Sequence, residues 1–281
     1  MNATIKTPKV YLIGAGPGDP DLITVKAVKA LAEAEIILSD RLVSPEILQQ
    51  YANKNAEIIY VGKECSKNAS TPQALINELI VDYALQNKNV VRLKGGDVSI
   101  FSNILDELQT LKQNKISYEI IPGITAALGA AAYAGMPLTA RNHATSVRFL
   151  TYYKSEILDE NYWNELAVTN DTLVFYMSKG NLSSLVEKLI DLNISRDKKI
   201  AIIEQATTPY QKVYTSSFDD FKANFADKDF ISPSLVVIGE VVRLHEEFSW
   251  LENAKEEDLY FKSVVNGSLI PTTQNLFQYA V

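Results

Sequence analysis

Val10-Tyr11-Leu12-Ile13-Gly14-Ala15-Gly16-Pro17-Gly18-Asp19-Pro20 is the stretch that decides the fold. Its four leading apolar residues lack the alternation of a strand with one wet face, so they read as a strand covered on both sides. The next seven residues hold three glycines and two prolines, more than a simple turn needs. A dinucleotide fingerprint is excluded because Asp19 stands where the third glycine belongs, and a phosphate-cradling loop because no Gly-Lys-Ser/Thr follows. What remains is a stiff loop, poor in side chains, that lets a flat or bulky group approach a sheet edge.

The same unit recurs through the first half of the chain. Ile36 to Ser39, Ile58 to Val61, Val90 to Leu93 and Tyr118 to Ile121 are further apolar runs read as strands buried on both faces. Amphipathic helical patterns lie between them. In the first, Ile23, Ala27, Ala30, Leu31 and Ala34 share a face opposite Lys26, Lys29 and Glu33. Another is predicted to open at Ser70 or Thr71 with Pro72 at its first position and Leu75, Leu79 and Ile80 on one side. Strands alternating with helices imply right-handed crossovers and a parallel sheet.

Gly135-Met136-Pro137-Leu138-Thr139-Ala140-Arg141-Asn142 interrupts the pattern, and a domain boundary is placed there. The second half carries strand patterns at Val147 to Tyr152, Thr172 to Met177, Lys199 to Glu204, Gln211 to Thr215 and Leu235 to Ile238, with helices near Leu182 to Ile190 and Phe218 to Phe225. The strands at Lys199 and Gln211 are too close for a helical crossover, so they are read as antiparallel and the second sheet as mixed. The expected organisation is α/β throughout: a mostly parallel N-terminal domain over 1–137, a C-terminal domain with a mixed sheet over 138–248, and a tail over 249–281 with no clear period.

With 281 residues, 47% of them hydrophobic, the chain can fill two ordinary cores. Its longest apolar run, Ile124 to Ala134, is far shorter than the roughly 20 residues a bilayer requires, and residues 1–10 have no apolar signal-peptide centre. A soluble, cytoplasmic protein is expected. A net charge of −7 argues against nucleic acid as a partner. The lone Cys65 excludes an internal disulfide, and with only His143 and His245 beside it no metal site is expected.

Every polar or glycine-rich motif of the first half follows an apolar run: Asp40-Arg41, Gly62-Lys63, Lys94-Gly95-Gly96-Asp97 and Pro122-Gly123-Ile124-Thr125-Ala126 join the Gly14 loop. Ligands of open α/β sheets bind at the carboxyl ends of the strands, which is where all five would lie.

These strings, with Asp40-Arg41-Leu42-Val43-Ser44, Tyr60-Val61-Gly62-Lys63, Arg92-Leu93-Lys94-Gly95-Gly96-Asp97, Ala134-Gly135-Met136-Pro137-Leu138-Thr139 and Glu204-Gln205-Ala206-Thr207-Thr208, resemble the uroporphyrinogen-III C-methyltransferases of the tetrapyrrole methylase group, over Lys9 to Leu244. The resemblance implies transfer of two methyl groups from S-adenosyl-L-methionine to uroporphyrinogen III, giving precorrin-2 for siroheme or cobalamin. It implies a cofactor cleft between the domains, touched by Pro17, Gly95, Gly96, Asp97, Ile100, Thr125, Ala126, Met177 and Ala206, and a homodimer. It makes Asp40 the proton acceptor and Lys63 the proton donor. A reduced pyrrole carbon is already electron-rich, so no metal or covalent nucleophile is required, and alignment and proton handling remain for the protein. The substrate's carboxylate rim calls for arginine forks, with Arg92 ranked first and Arg41, Arg141 and Arg148 behind it.

Rival readings are a methylase acting on a later corrin intermediate and a cofactor-binding protein without catalysis. No dehydrogenase or ferrochelatase segment precedes Lys9, so a fused siroheme-synthase arrangement is not expected. One stretch departs from the family. After Asp97 the usual Pro-Phe-Ile-Phe-Gly-Arg-Gly-Gly-Glu-Glu is replaced by Val98-Ser99-Ile100-Phe101-Ser102-Asn103-Ile104-Leu105-Asp106-Glu107. With the glycines gone, Ile104, Leu105 and Leu108 continue a helical pattern, and an earlier, stiffer helix is expected, along with a weakened grip on substrate.

Overall fold

The computed structural model describes residues 9–62, 71–152, 159–226 and 228–261. The described chain forms two compact units, one ending at Thr125 and taking in Phe261, the other spanning Ala126–Tyr260.

The first unit alternates β1 (Lys9–Gly14), α1 (Val25–Glu33), β2 (Ile36–Ser39), α2 (Pro45–Tyr51), β3 (Glu57–Tyr60), α3 (Gln73–Leu85), β4 (Val90–Lys94), α4 (Ile104–Gln113) and β5 (Ser117–Ile121). Its strands lie in the order β3-β2-β4-β1-β5, every pair parallel. Ile13, Ile37, Val91 and Leu93 point to one face and pack with Leu31 of α1 and Ile47 of α2. Val10, Leu12, Leu38 and Val90 point to the other, against Ile76 and Ile80 of α3 and Leu111 of α4. Both faces of the central strands are therefore covered, which is why their sequences run apolar without alternating. At the sheet edge the outcome differs, since Tyr118 and Ile120 of β5 remain exposed.

Local signals set the helix starts. The Thr24 hydroxyl accepts from the Ala27 amide and caps α1. In α3 the first helical residue is Gln73, and Pro72 is the extended cap, one place earlier in role than the sequence suggested. The buried line of α3 runs Ile76, Ile80, Ala84, with Leu79 only partly covered.

The second unit contains α5 (Ala126–Tyr133), β6 (Val147–Thr151), α6 (Glu160–Val168), β7 (Thr172–Tyr176), α7 (Leu182–Asp191), β8 (Lys199–Glu204), β9 (Lys212–Ser217), α8 (Phe221–Phe225), β10 (Ser234–Gly239) and α9 (Leu244–Phe248). Strand order is β6-β7-β10-β8-β9. Only β6 and β7 are parallel, and β8 and β9 pair antiparallel, so the sheet is mixed as expected. One face carries Trp163, Leu185, Phe221 and Phe230 from the helices and loops; the other carries α5 and the loop after it. That second cluster moves the boundary. Ala127, Ala130, Ala131, Ala134 and Met136 pack with Val174, Ala201 and Val237, so α5 and the following loop belong to the second unit rather than to a first domain ending at residue 137. A glycine- and proline-rich break marks a bend here, not the division between cores.

Candidate functional site

The loops after β1, β4 and β5 are interlocked through backbone. The Ala15 amide donates to the Lys94 carbonyl at 2.8 Å, and Gly16 and Gly96 exchange amide–carbonyl bonds at 3.1 and 2.7 Å. A Cβ on Gly14 would stand 2.6 Å from the Gly96 oxygen, and one on Gly123 2.4 Å from the same atom. These glycines let three loops touch. Gly95 has an equivalent constraint, because its Cβ would lie 2.6 Å from the Leu42 oxygen. The density of glycine therefore has a cause the sequence reading did not give: loop-on-loop packing, in addition to any approach of a ligand. Pro17 is buried within the first of these loops.

Asp97 ties the second loop to the third. One carboxylate oxygen accepts from the Ser99 amide at 2.7 Å and the other from the Gly123 amide at 2.9 Å. Gly95, Gly96, Asp97 and Ile100 are half-buried, and Thr125 is buried at the end of the third loop. The first-unit residues assigned to the cofactor are thus gathered on adjoining loops at one sheet edge.

Asp40 follows β2 at the same edge. Its amide donates to the Leu93 carbonyl at 2.9 Å, and its Oδ1 accepts from the Arg41 amide at 3.0 Å, leaving the side chain about one-third exposed. Arg92 is not an open fork for a substrate carboxylate. It is buried, its Nε donates to Glu107 at 3.0 Å, and its Nη1 donates to the carbonyls of Leu38 and Leu93. Its remaining Nη2 stands 3.9 Å from Asp40 Oδ2. Lys94, two residues on, donates to the same Glu107 oxygen at 3.0 Å. Burial, aided by the charge of Arg92, pushes the Lys94 ammonium below the ordinary lysine range, against the pull of Glu107 and Asp40.

Sequence reading missed Glu107 and Lys94. A signal was present: Arg92 and Lys94 are i, i+2 on a strand read as buried, so both cations share a face and need an anion there. Arg148, another proposed fork, is occupied by Asp171 at 2.5 Å and Glu165 at 2.6 Å, bonds that raise its pKa further. Arg141 is exposed. Lys63 and Cys65 lie outside the described residues.

In the departing stretch, the helix does not reach back. α4 begins at Ile104, and both Phe101 (φ 49°) and Asn103 (φ 58°) occupy the left-handed region. These left-handed turns fall at 101 and 103, where the family pattern has Phe and Arg, and not at 102, 104 and 105, where it has glycine. Asn tolerates that conformation; Phe pays for it. Leu105 is exposed, and the inward positions of α4 are Glu107 and Leu111.

In the second unit, Ala126 opens α5, and the Ala127 amide donates to the Tyr176 hydroxyl at 3.1 Å. Met177 follows β7 directly with φ 55° and an exposed side chain, so it is not ordinary core packing. Ala206 is buried between Gln205 (φ 44°) and Thr207 (φ 66°) just after β8. Among the described residues no group of His, Cys, Asp and Glu could hold a metal ion, and no helix is long and apolar enough to cross a membrane.

Comparison with known proteins agrees with this layout. The sequence pattern described as Tetrapyrrole (Corrin/Porphyrin) Methylases matches residues 9–222. The siroheme synthase of Pseudomonas aeruginosa (strain LESB58) is 43% identical over 255 residues, 91% of this chain and 54% of its own length, so the chain spans about half the length of the curated relatives it matches. A uroporphyrin-III C-methyltransferase from Thermus thermophilus, solved with S-adenyl homocysteine, is 31% identical with a TM-score of 0.70 over 84% of this chain and 94% of that one. A cobalt precorrin-4 methyltransferase of cobalamin biosynthesis reaches a TM-score of 0.73 at 26% identity, over 83% and 95% of the two chains.

Proposed function

This chain belongs to the tetrapyrrole methylase family, and we propose that it transfers two methyl groups from S-adenosyl-L-methionine to uroporphyrinogen III, giving precorrin-2. The observation that carries the reading is the placement of Asp40, a partly exposed carboxylate at the carboxyl edge of the parallel sheet with the Arg92 guanidinium behind it.

The residues assigned to the cofactor suit it. Gly95, Gly96, Ala126 and Ala206 offer backbone groups with almost no side chain, Thr125 a hydroxyl, and the Asp97 carboxylate is held still by two amides. Bound there, S-adenosyl-L-methionine would supply an activated methyl group on sulfonium. The protein's own work is to align the electron-rich ring carbon, keep water away and accept the proton that the methylated carbon gives up. Asp40 is the acceptor in this reading, with Arg92 fixing its carboxylate. Lys63 is the proton donor by resemblance. The second unit contributes Ala126, Met177 and Ala206 by the same resemblance. A homodimer working in the cytoplasm belongs to the proposal, and sedimentation showing only monomer would remove the first part of that statement.

Anaerobic incubation of the protein with uroporphyrinogen III and S-adenosyl-L-methionine, followed by mass measurement of the product, tests the proposal. A second reading, a later corrin intermediate as substrate, is favoured by two features: Asn103 stands where the family pattern has arginine, and the cobalt precorrin-4 enzyme is structurally as near as the uroporphyrin enzyme.

A further inference from the structure

The sequence leaves residues 249–281 as a tail of unknown role, and Asn253–Tyr260 bind the second unit at Gln205 and at Gln211, Lys212 and Val213. The Asn253 side chain pairs with Val213 in both directions, accepting from its amide at 2.6 Å and donating to its carbonyl at 3.0 Å. The Ala254 amide donates to the Gln211 carbonyl at 3.0 Å, and Glu257 meets Lys212 at 2.8 Å. Gln205 then uses its whole buried amide on the same segment: Nε2 donates to the Asp258 carbonyl and Oε1 accepts from the Tyr260 amide, both at 2.8 Å. Gln211 closes the circuit, because its Oε1 accepts from the Thr207 amide at 2.7 Å.

The turn gripped in this way is Gln205-Ala206-Thr207, whose first and third residues both hold left-handed backbone. Such a conformation is unfavourable for a non-glycine residue and persists only where surroundings impose it. Here the buried Gln205 amide and the Gln211 side chain are the groups that impose it, and the 253–260 segment holds Gln205 by its side-chain amide and Gln211 by its main-chain carbonyl. We propose that this segment is a strap and that Gln205, Gln211 and Asn253 are positioning residues for the cofactor-binding turn at Ala206. The inference rests on the reading above in which Ala206 touches the cofactor.

Calorimetric titration of S-adenosylhomocysteine into Gln205→Ala, Asn253→Ala and Ala206→Leu proteins, with steady-state kinetics and melting curves, tests it. Gln205→Ala is expected to raise Kd roughly tenfold and the exposed-side Asn253→Ala roughly threefold, as lost hydrogen bonds of ordinary strength would. The KM for cofactor should rise in parallel while kcat at saturating cofactor stays within about twofold, a split that loss of general stability does not produce. If Ala206→Leu abolishes binding while Asn253→Ala and Gln205→Ala bind as tightly as the wild type, the strap has no positioning role and the cofactor assignment stands. If Ala206→Leu binds normally, the assignment of this turn to the cofactor fails and the strap inference falls with it.

Discussion

Arg92 Nη2 stands 3.9 Å from Asp40 Oδ2 while its Nε bonds Glu107 at 3.0 Å, so one buried guanidinium links an interior anion to a carboxylate at the sheet edge. Two cations, Arg92 and Lys94, share Glu107, and Asp40 is the second anion within reach. Removing Glu107 alone would take the carboxylate partner from Lys94 and leave Arg92 with two carbonyls and the more distant Asp40. Glu107→Leu is expected to cost about 3–5 kcal/mol of folding free energy in urea titrations. Combined with Arg92→Met, the loss should be less than the sum of the single losses by about 0.5–3 kcal/mol.

Lys94 gives a pH signature. Its ammonium titrates lower in the folded protein than in the unfolded chain, chiefly through burial. Between the lowered folded value and the ordinary lysine value, the unfolded chain binds more protons, and stability contributed by this group rises with pH. The cost of the buried charge is present in full below that window and fades across it. Relative to Lys94→Met, the wild type should therefore gain stability as pH is raised toward the ordinary lysine value. A difference that stays flat or moves the other way would contradict the assignment of a depressed Lys94.

The interlocked loops predict a contrast between glycines. A Cβ at Gly123 would sit 2.4 Å from the Gly96 oxygen, whereas one at Gly180 would meet nothing within 4 Å. Gly123→Ala is expected to destabilise by about 1–3 kcal/mol or more and to weaken S-adenosylhomocysteine binding by distorting the Asp97 loop. Gly180→Ala should stay within about 0.5 kcal/mol of wild type in thermal melts.

The departing stretch makes a prediction about substrate. Ser102→Gly with Asn103→Arg restores the family's residues in a loop whose backbone still turns through left-handed angles at Phe101 and Asn103. The paired change should raise kcat/KM for uroporphyrinogen III and leave the cofactor constant alone. No change in kcat/KM would make the departure neutral.

Most of the fold was legible because burial on both faces writes an unbroken apolar run into β1 and β2, and the short link between β8 and β9 permits only an antiparallel pair. The boundary was misplaced because α5 is mostly alanine, with no polar face to say which sheet it covers. At the site, Asp40 and the Gly95–Asp97 loop could be read from local strings. The Glu107 partnership could not, since Arg92 and Glu107 are fifteen residues apart and meet only when α4 folds over β4. The grip of Gln205 on Asp258 and Tyr260 has the same origin, across more than fifty residues.

Asp40→Asn should keep S-adenosylhomocysteine affinity within about twofold and slow methyl transfer about a hundredfold to ten-thousandfold, the usual span of a general base. Equal rates in single-turnover experiments would remove Asp40 from the role.

Methyl transfer to uroporphyrinogen III is the central claim, and product mass after anaerobic incubation with S-adenosyl-L-methionine tests it most directly. The expected product is a tetrapyrrole carrying two added methyl groups, formed with two equivalents of S-adenosylhomocysteine. Unchanged uroporphyrinogen III, from protein that binds S-adenosylhomocysteine normally, would contradict it.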